Sequence, residues 1–276
     1  MKKFLTILVK SVIRHNIGYL AAVVSYFAFT SMIPVVLLLI YLASIILSGT
    51  EVEHFFDELL QSYVPAMPSG TTTVNTTIHH LSTLRPVIGI IGFVGLLWGS
   101  IGGLVSLQQT LDTICEVHRR RSFVKQYIIG FGMLGLLLAL VVVSAAVTAL
   151  SPAVVERLGQ SPLTSWILIT HAIARVLFAI IMFAVCYFAY RFLPSKVPSN
   201  FALVIGSAVA TCCIYISREL FAVYTHHLGN YQLIYGALTY VMLLTFWIYI
   251  ASIIFLFGME VSLAIHATKQ SGIRAQ

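Results

Sequence analysis

Long apolar runs, broken at intervals by short polar segments, dominate this chain. Six of them reach the ~20 residues a helix needs to cross a hydrocarbon core of about 30 Å. They lie near 17–48, 86–110, 127–151, 166–191, 201–224 and 233–265. Pro34 inside the first run predicts a kink, because proline removes a backbone donor and crowds the preceding turn. Residues 1–15 are patterned differently. On a helical wheel Lys3, Lys10 and Arg14 fall on one side and Phe4, Leu5, Leu8 and Val12 on the other. That division predicts a helix lying in the membrane interface. Segment 49–85 is the one sizeable extramembrane piece. It predicts an acidic amphipathic helix near 51–63, a turn around Pro65 and Pro68, and a polar run from Ser69 to Thr77 that caps a second short helix.

The predicted fold is therefore an all-α integral membrane protein. Residues 1–276 form one transmembrane domain, a six-helix bundle with an interfacial helix and a short helical extracytoplasmic cap. Composition agrees: 59% of the 276 residues are hydrophobic and 9% are charged, against about 25% charged residues in soluble domains. Lipid, not water, must cover such a surface.

The net charge of +7 raises nucleic acid as a partner until the charges are located. Lys2, Lys3, Lys10 and Arg14 precede the first run, and Arg119, Arg120, Arg121 and Lys125 follow the second. Arg191 and Lys196 follow the fourth, and Lys269 and Arg274 follow the sixth. The intervening loops hold only Arg85 and Arg157, alongside Glu51, Glu53, Asp57, Glu58 and Glu156. This alternation is a topology signal that places both termini in the cytoplasm of an inner-membrane protein and leaves no role for nucleic acid. Lys2 and Lys3 precede an amphipathic stretch without a small-residue cleavage site, so no cleaved signal is expected. Cys115, Cys186, Cys212 and Cys213 have neither zinc-type spacing nor an outer-side position, and no disulfide is expected.

Ionisable residues at membrane depth are the informative ones, because burying them is costly without a partner or water. Arg175, Arg218, Glu219 and Glu260 qualify, with His171 one turn from Arg175. From the topology, Arg175 lies roughly 13 Å below the outer surface and Arg218 and Glu219 roughly 8–9 Å below it. Glu260 lies near the inner surface, apart from them. Polar stripes run along three helices. Ser207, Thr211, Tyr215 and Arg218 share an arc of about 80°, as do Tyr235, Thr239, Met242, Phe246, Tyr249 and Glu260. Tyr26, Thr30, Tyr41, Ser44 and Ser48 form the third. Polar atoms facing lipid would be unsatisfied, so these stripes are expected to face the bundle interior.

The resulting candidate binding set is His171, Arg175, Arg218, Glu219, Tyr41, Ser44, Tyr235 and Thr239. Two arginines against one glutamate suit a phosphate or carboxylate, and apolar walls suit a lipid-like anion. Alternatively, Glu219 and His171 relay protons or hold a cation. In the structural reading, Arg218 pairs with a carboxylate merely to lock helices together, and the protein is a membrane scaffold. Gly92, Gly95, Gly99 and Gly103 allow close packing within one chain or between two. No catalytic residue, metal site or cofactor is expected. The cytoplasmic loops offer only Asp112 and Glu116 with His118 nearby, and no P-loop, HExxH or CxxC frame appears.

Several segments together resemble the YihY/BrkB family of bacterial inner-membrane proteins. They are Tyr231 to Leu238, Trp247 to Tyr249, Leu256 to Glu260, and Ser25 to Pro34. Leu111 to Ile114 with the following arginines, and Arg191 to Pro198, belong with them. The resemblance rests most on Tyr26, Pro34, Tyr231, Tyr235, Gly236, Trp247, Gly258 and Glu260. It departs at Met259, where the family commonly has Ala, and at Cys115, where it has Trp. The resemblance implies a six-helix inner-membrane protein. The family was once labelled ribonuclease BN, one member is linked to serum resistance, and transport of ions or lipids has been suggested for others.

Overall fold

The computed structural model describes residues 2–46, 90–117, 121–157, 163–227 and 237–273. Side chains are described for 4–32, 34–35, 97–99, 101–117, 121–140, 176, 179–225, 239 and 241–269. The described residues form seven α-helices and no strand: α1 Lys2–Arg14, α2 Ile17–Ile46, α3 Ile90–Ile114, α4 Phe123–Arg157, α5 Leu163–Phe192, α6 Asn200–His227 and α7 Ala237–Ile273. Each of the six apolar runs coincides with one of the helices α2 to α7. Three described stretches, Phe123–Leu140, Asn200–Thr225 and Val241–Lys269, are long and apolar enough to cross a membrane. The pair Phe4–Arg14 and Ile17–Met32, bent by 57°, supplies a fourth if it is counted as one span. The predicted cap at 49–85 lies outside the described residues.

Neighbouring helices close a ring. α2 packs on α3, α3 on α4, α4 on α5, α5 on α6, α6 on α7, and α7 returns to α2. α7 also touches α3 across the ring, and α1 lies outside on α7. One continuous core draws on all six ring helices, through Ala21, Leu111, Met133, Tyr190, Leu203 and Met259 among others. It gathers where α2, α4 and α6 begin and α3, α5 and α7 end, the same end at which α1 docks.

Two glycine contacts set the closest crossings. A Cβ on Gly206 of α6 would collide with the Gly258 carbonyl and the Ser262 hydroxyl of α7. A Cβ on Gly258 would lie 2.7 Å from the Ala210 Cβ and 2.9 Å from the Gly206 carbonyl oxygen. The backbones therefore meet at a point where no side chain fits. Between α2 and α3, a Cβ at Gly99 would come within 2.9 Å of the Pro34 ring, and one at Gly103 within 2.7 Å of the Ser31 hydroxyl. These two glycines pack within the chain. The side-chain surroundings of Gly92 and Gly95 lie outside the described residues.

The α1 docking adds a protein contact to the helical-wheel division. Leu8 is buried against Val261 and Ala264 of α7, with Phe4, Ile7 and Val12 packed around it. Leu5, on the apolar side of the wheel, is 62% exposed alongside Val9 and Ile13. A helix laid on a bundle at the interface has two apolar surroundings, protein and lipid, and so needs two apolar faces. A single polar-apolar division captures only one of them.

Candidate functional site

A network of charged and polar groups closes the end of the ring where α1 lies. It starts from two backbone turns. Asn16, after α1, has φ 49°, and Glu116, after α3, has φ 51°. This left-handed region is unusual for residues other than glycine, and asparagine tolerates it better than glutamate. At Glu116 it closes α3: the Glu116 amide donates to the Thr113 carbonyl at 3.1 Å and the Val117 amide to the Asp112 carbonyl at 3.0 Å. These bonds satisfy carbonyls that the end of a helix leaves without partners. At Asn16 the chain turns from α1 into α2 and carries His15 inward.

His15 then stands between two carboxylates. Its Nδ1 lies 2.5 Å from Oε1 of Glu260 on α7, and its Nε2 lies 3.4 Å from Oε1 of Glu116. Ser11 donates to the other Glu260 oxygen at 2.8 Å. Arg14 forms an ion pair with Glu116. Glu260 is fully buried and the His15 side chain is 9% exposed, whereas Glu116 is half exposed. A buried carboxylate without partners costs several kcal/mol, so the Ser11 and His15 bonds are what permit Glu260 to sit there. Glu260 had been placed apart from the other charges by depth, and here it joins α1 to α7.

Beside it, buried Asp112 accepts the Ser195 amide at 2.6 Å and the Ser195 hydroxyl at 2.9 Å, tying the end of α3 to the α5–α6 turn. Arg121 donates to the carbonyls of Phe192 at 3.1 Å, Leu193 at 3.0 Å and Pro194 at 2.9 Å. A guanidinium there satisfies the free carbonyls at the end of α5 and meets the negative end of its dipole. The Ser199 amide, just before α6, donates to His266 Nδ1 at 3.3 Å. Cys115 sits in the turn after α3, beyond the predicted span. Burial, then the negative charges of Asp112 and Glu260, push its thiol from 9.0 up to about 12. The Asp112–Glu116 pair is thus part of a helix-end network. Among the described residues no group of three or more acidic, histidine or cysteine side chains could hold a metal.

The other candidates are distributed as follows. On α6, Ser207 is fully buried with an unpaired hydroxyl, while Thr211, Tyr215 and Arg218 are half-buried on the same face. Thr211 donates to the Ser207 carbonyl at 2.8 Å. Glu219 is exposed, away from that face, and Thr239 on α7 is buried. Trp247 is buried against Phe221, with ring centroids 5.0 Å apart. His171 and Arg175 lie on α5 and Tyr41 and Ser44 on α2, at positions whose side chains are outside the description. Tyr231, Tyr235 and Gly236 are outside the described residues altogether.

The expectation that all three polar stripes face inward needs correction. Tyr26 is 65% exposed and Thr30 is exposed too, as are Met242 and Phe246 on α7. The Thr30 hydroxyl bonds the carbonyl of Tyr26 at 3.0 Å in its own helix. A threonine that satisfies itself locally does not need the bundle interior. Sequence reasoning also missed Gln108, fully buried on α3 with both amide atoms unpaired, and His15. His15 belongs to no apolar run, and its partners are distant in the chain.

The family described as virulence factor BrkB matches residues 8–276. The chain belongs to that family. Similar relatives are named UPF0761 membrane proteins. One from Vibrio vulnificus is 26% identical over 254 residues, covering 91% of this chain and 77% of the relative. One from Photobacterium profundum is 26% identical over 273 residues, covering 97% and 82%. A third, from Alteromonas mediterranea, is 27% identical over 269 residues, covering 92% and 84%. No solved structure matches this BrkB-family chain. The Gly258–Glu260 segment quoted for the resemblance holds both the closest helix crossing and the buried carboxylate.

Proposed function

We propose that this BrkB-family membrane protein crosses the inner membrane six times with both termini cytoplasmic. In this reading it translocates an anionic, lipid-like amphiphile or an ion along a polar path that opens to the outer half of the bilayer. The observation that carries it is the α6 stripe, which runs from the buried, unpaired hydroxyl of Ser207 past Thr211 and Tyr215 to Arg218. A membrane-length helix keeps such a series on one face where polar cargo or water meets it. Arg218, with Arg175 of α5, supplies the positive charge that a phosphate or carboxylate needs. The ionic end of the ring is cytoplasmic, which puts Arg14, Arg121, Lys125 and Lys196 on the inner side. The exposed face of α1, where Leu5, Val9 and Ile13 flank Lys10, then lies against inner-leaflet headgroups.

The test is transbilayer movement of a fluorescent anionic phospholipid in vesicles containing the purified protein. The expected result is movement that falls at least about tenfold in the Arg175→Gln/Arg218→Gln variant, the worth of one lost charge-assisted contact. Equal movement with and without protein, or a double variant as fast as the parent, overturns the reading. One observation favours a scaffold instead: the Gly206–Gly258 crossing and the dense core around Tyr190 and Met259 make the inner end of the ring solid.

A further inference from the structure

His15, Glu116 and Glu260 form an unbroken series from water to the interior of the ring. Glu116 is half exposed, His15 is nearly buried, and Glu260 is sealed from solvent. Each imidazole nitrogen faces a different carboxylate, Nε2 toward the exposed one and Nδ1 toward the buried one. Two charges of this group cancel locally, since Arg14 pairs with Glu116. Among the described residues the hydrogen-bond partners of Glu260 are one hydroxyl and one imidazole, so an extra proton on His15 or on Glu260 itself would balance its charge at contact distance.

We propose that Glu260 is a proton-binding site of this protein, loaded from the cytoplasmic side through Glu116 and His15. The step balances without any further reactant. A proton arrives on Nε2 from water or from Glu116, and the Nδ1 proton passes across the 2.5 Å contact to Oε1 of Glu260. The imidazole ends neutral with its proton on Nε2, Glu260 ends as a neutral acid, and Ser11 remains bonded to Oε2. A histidine suits this role because its two nitrogens exchange donor and acceptor parts near neutral pH. The backbone holds the geometry: the two left-handed residues are Glu116 itself and Asn16, adjacent to His15. Such positions cost about 1–3 kcal/mol each and recur where position matters to mechanism.

The surrounding titratable and charged groups are Arg14 on α1, Asp112, the neutral Cys115 thiol and Glu116 at the end of α3, and Lys196 in the α5–α6 turn. The Tyr249 hydroxyl of α7 lies against Gly18 at the start of α2. Because α1 and α7 share this proton, its arrival also changes the charge that holds α1 on the ring. The site does not depend on what, if anything, crosses the membrane. For the transport reading, it would supply the link to a proton gradient.

The experiment is infrared difference spectroscopy of the full-length protein in lipid nanodiscs, between alkaline and acidic pH and after a pH jump. The expected signal is a protonated carboxyl band that Glu260→Gln removes. His15→Gln should keep the band but slow its appearance by at least about a hundredfold, the scale of a positioned acid-base group. Ser11→Ala, which removes a single hydroxyl, should shift the band frequency and provides the assignment if Glu260→Gln does not fold. A band that survives Glu260→Gln or is unmoved by Ser11→Ala overturns the site. An appearance rate unchanged in His15→Gln overturns the path. Lipid movement is not read in this experiment, so its outcome is separate from that of the amphiphile test.

Discussion

The α1 end of the ring and the α6 stripe both place polar atoms inside an apolar protein, and they satisfy them in opposite ways. At the α1 end, partners come from distant parts of the chain: Glu260 with His15 and Ser11, Asp112 with Ser195, and Arg121 with three carbonyls. On α6, Thr211 bonds the Ser207 carbonyl one turn back in its own helix, and the Ser207 hydroxyl has no partner. Interactions across elements lock a structure, whereas an unpaired buried hydroxyl contributes only its desolvation cost. The first region is therefore architecture, tied across helices, whereas the second holds a buried polar atom that packing leaves unsatisfied.

Substitutions test this contrast. The largest effect is expected for Glu260→Ala, which strands His15 and Ser11 and costs about 3–5 kcal/mol of stability. Denaturant titration of the purified protein in mild detergent would measure it. A loss below about 1 kcal/mol would remove the distinction between the regions. Gly258→Ala comes next, at about 1–3 kcal/mol, because its methyl meets Ala210 and the Gly206 carbonyl of a neighbouring backbone. The same titration reads that change, and Gly102→Ala, whose Cβ has open space around it, is the control.

A smaller effect follows from the buried Cys115 thiol. Its folded pKa of about 12 lies above the ordinary 9.0. The stability it contributes is therefore complete below 9.0 and is lost as pH rises from there toward about 12. Near pH 10 the loss reaches about 1 kcal/mol, and it vanishes in Cys115→Ala. Thiol-reagent labelling should be slow in the folded protein at neutral pH, since the thiolate is the reactive form. The smallest effect belongs to Ser207→Ala, which removes an unpaired hydroxyl and should leave stability unchanged or raise it by about 1 kcal/mol. If Ser207→Ala instead destabilises by as much as is expected of Gly258→Ala, the stripe is architecture too.

How much of this was legible in the sequence differs by region. The α6 stripe could be read directly, because Ser207, Thr211, Tyr215 and Arg218 sit at helical spacing within one segment. Of those four Ser207 is buried and the other three half-buried, whereas Tyr26 and Thr30 are exposed. There, local hydroxyl bonding makes periodicity an unreliable guide to burial. Gly258 and Glu260 were visible as a motif, while their partners Gly206 and His15 were not. Ser11 and Glu260 are 249 residues apart, and no spacing rule spans that distance.

By itself the sequence determined that the chain is helical and membrane-embedded, and where its apolar helices run. Those properties are sums over neighbouring residues: an apolar run of sufficient length must satisfy its own backbone and bury its own surface. The tertiary structure alone decided that the six helices close a ring, that α1 has one face on α7 and another turned outward, and that His15 stands between Glu116 and Glu260. Closure of the ring brings the first and last helices together. The contacts made there depend on side-chain shape and direction at a crossing, which no single segment encodes.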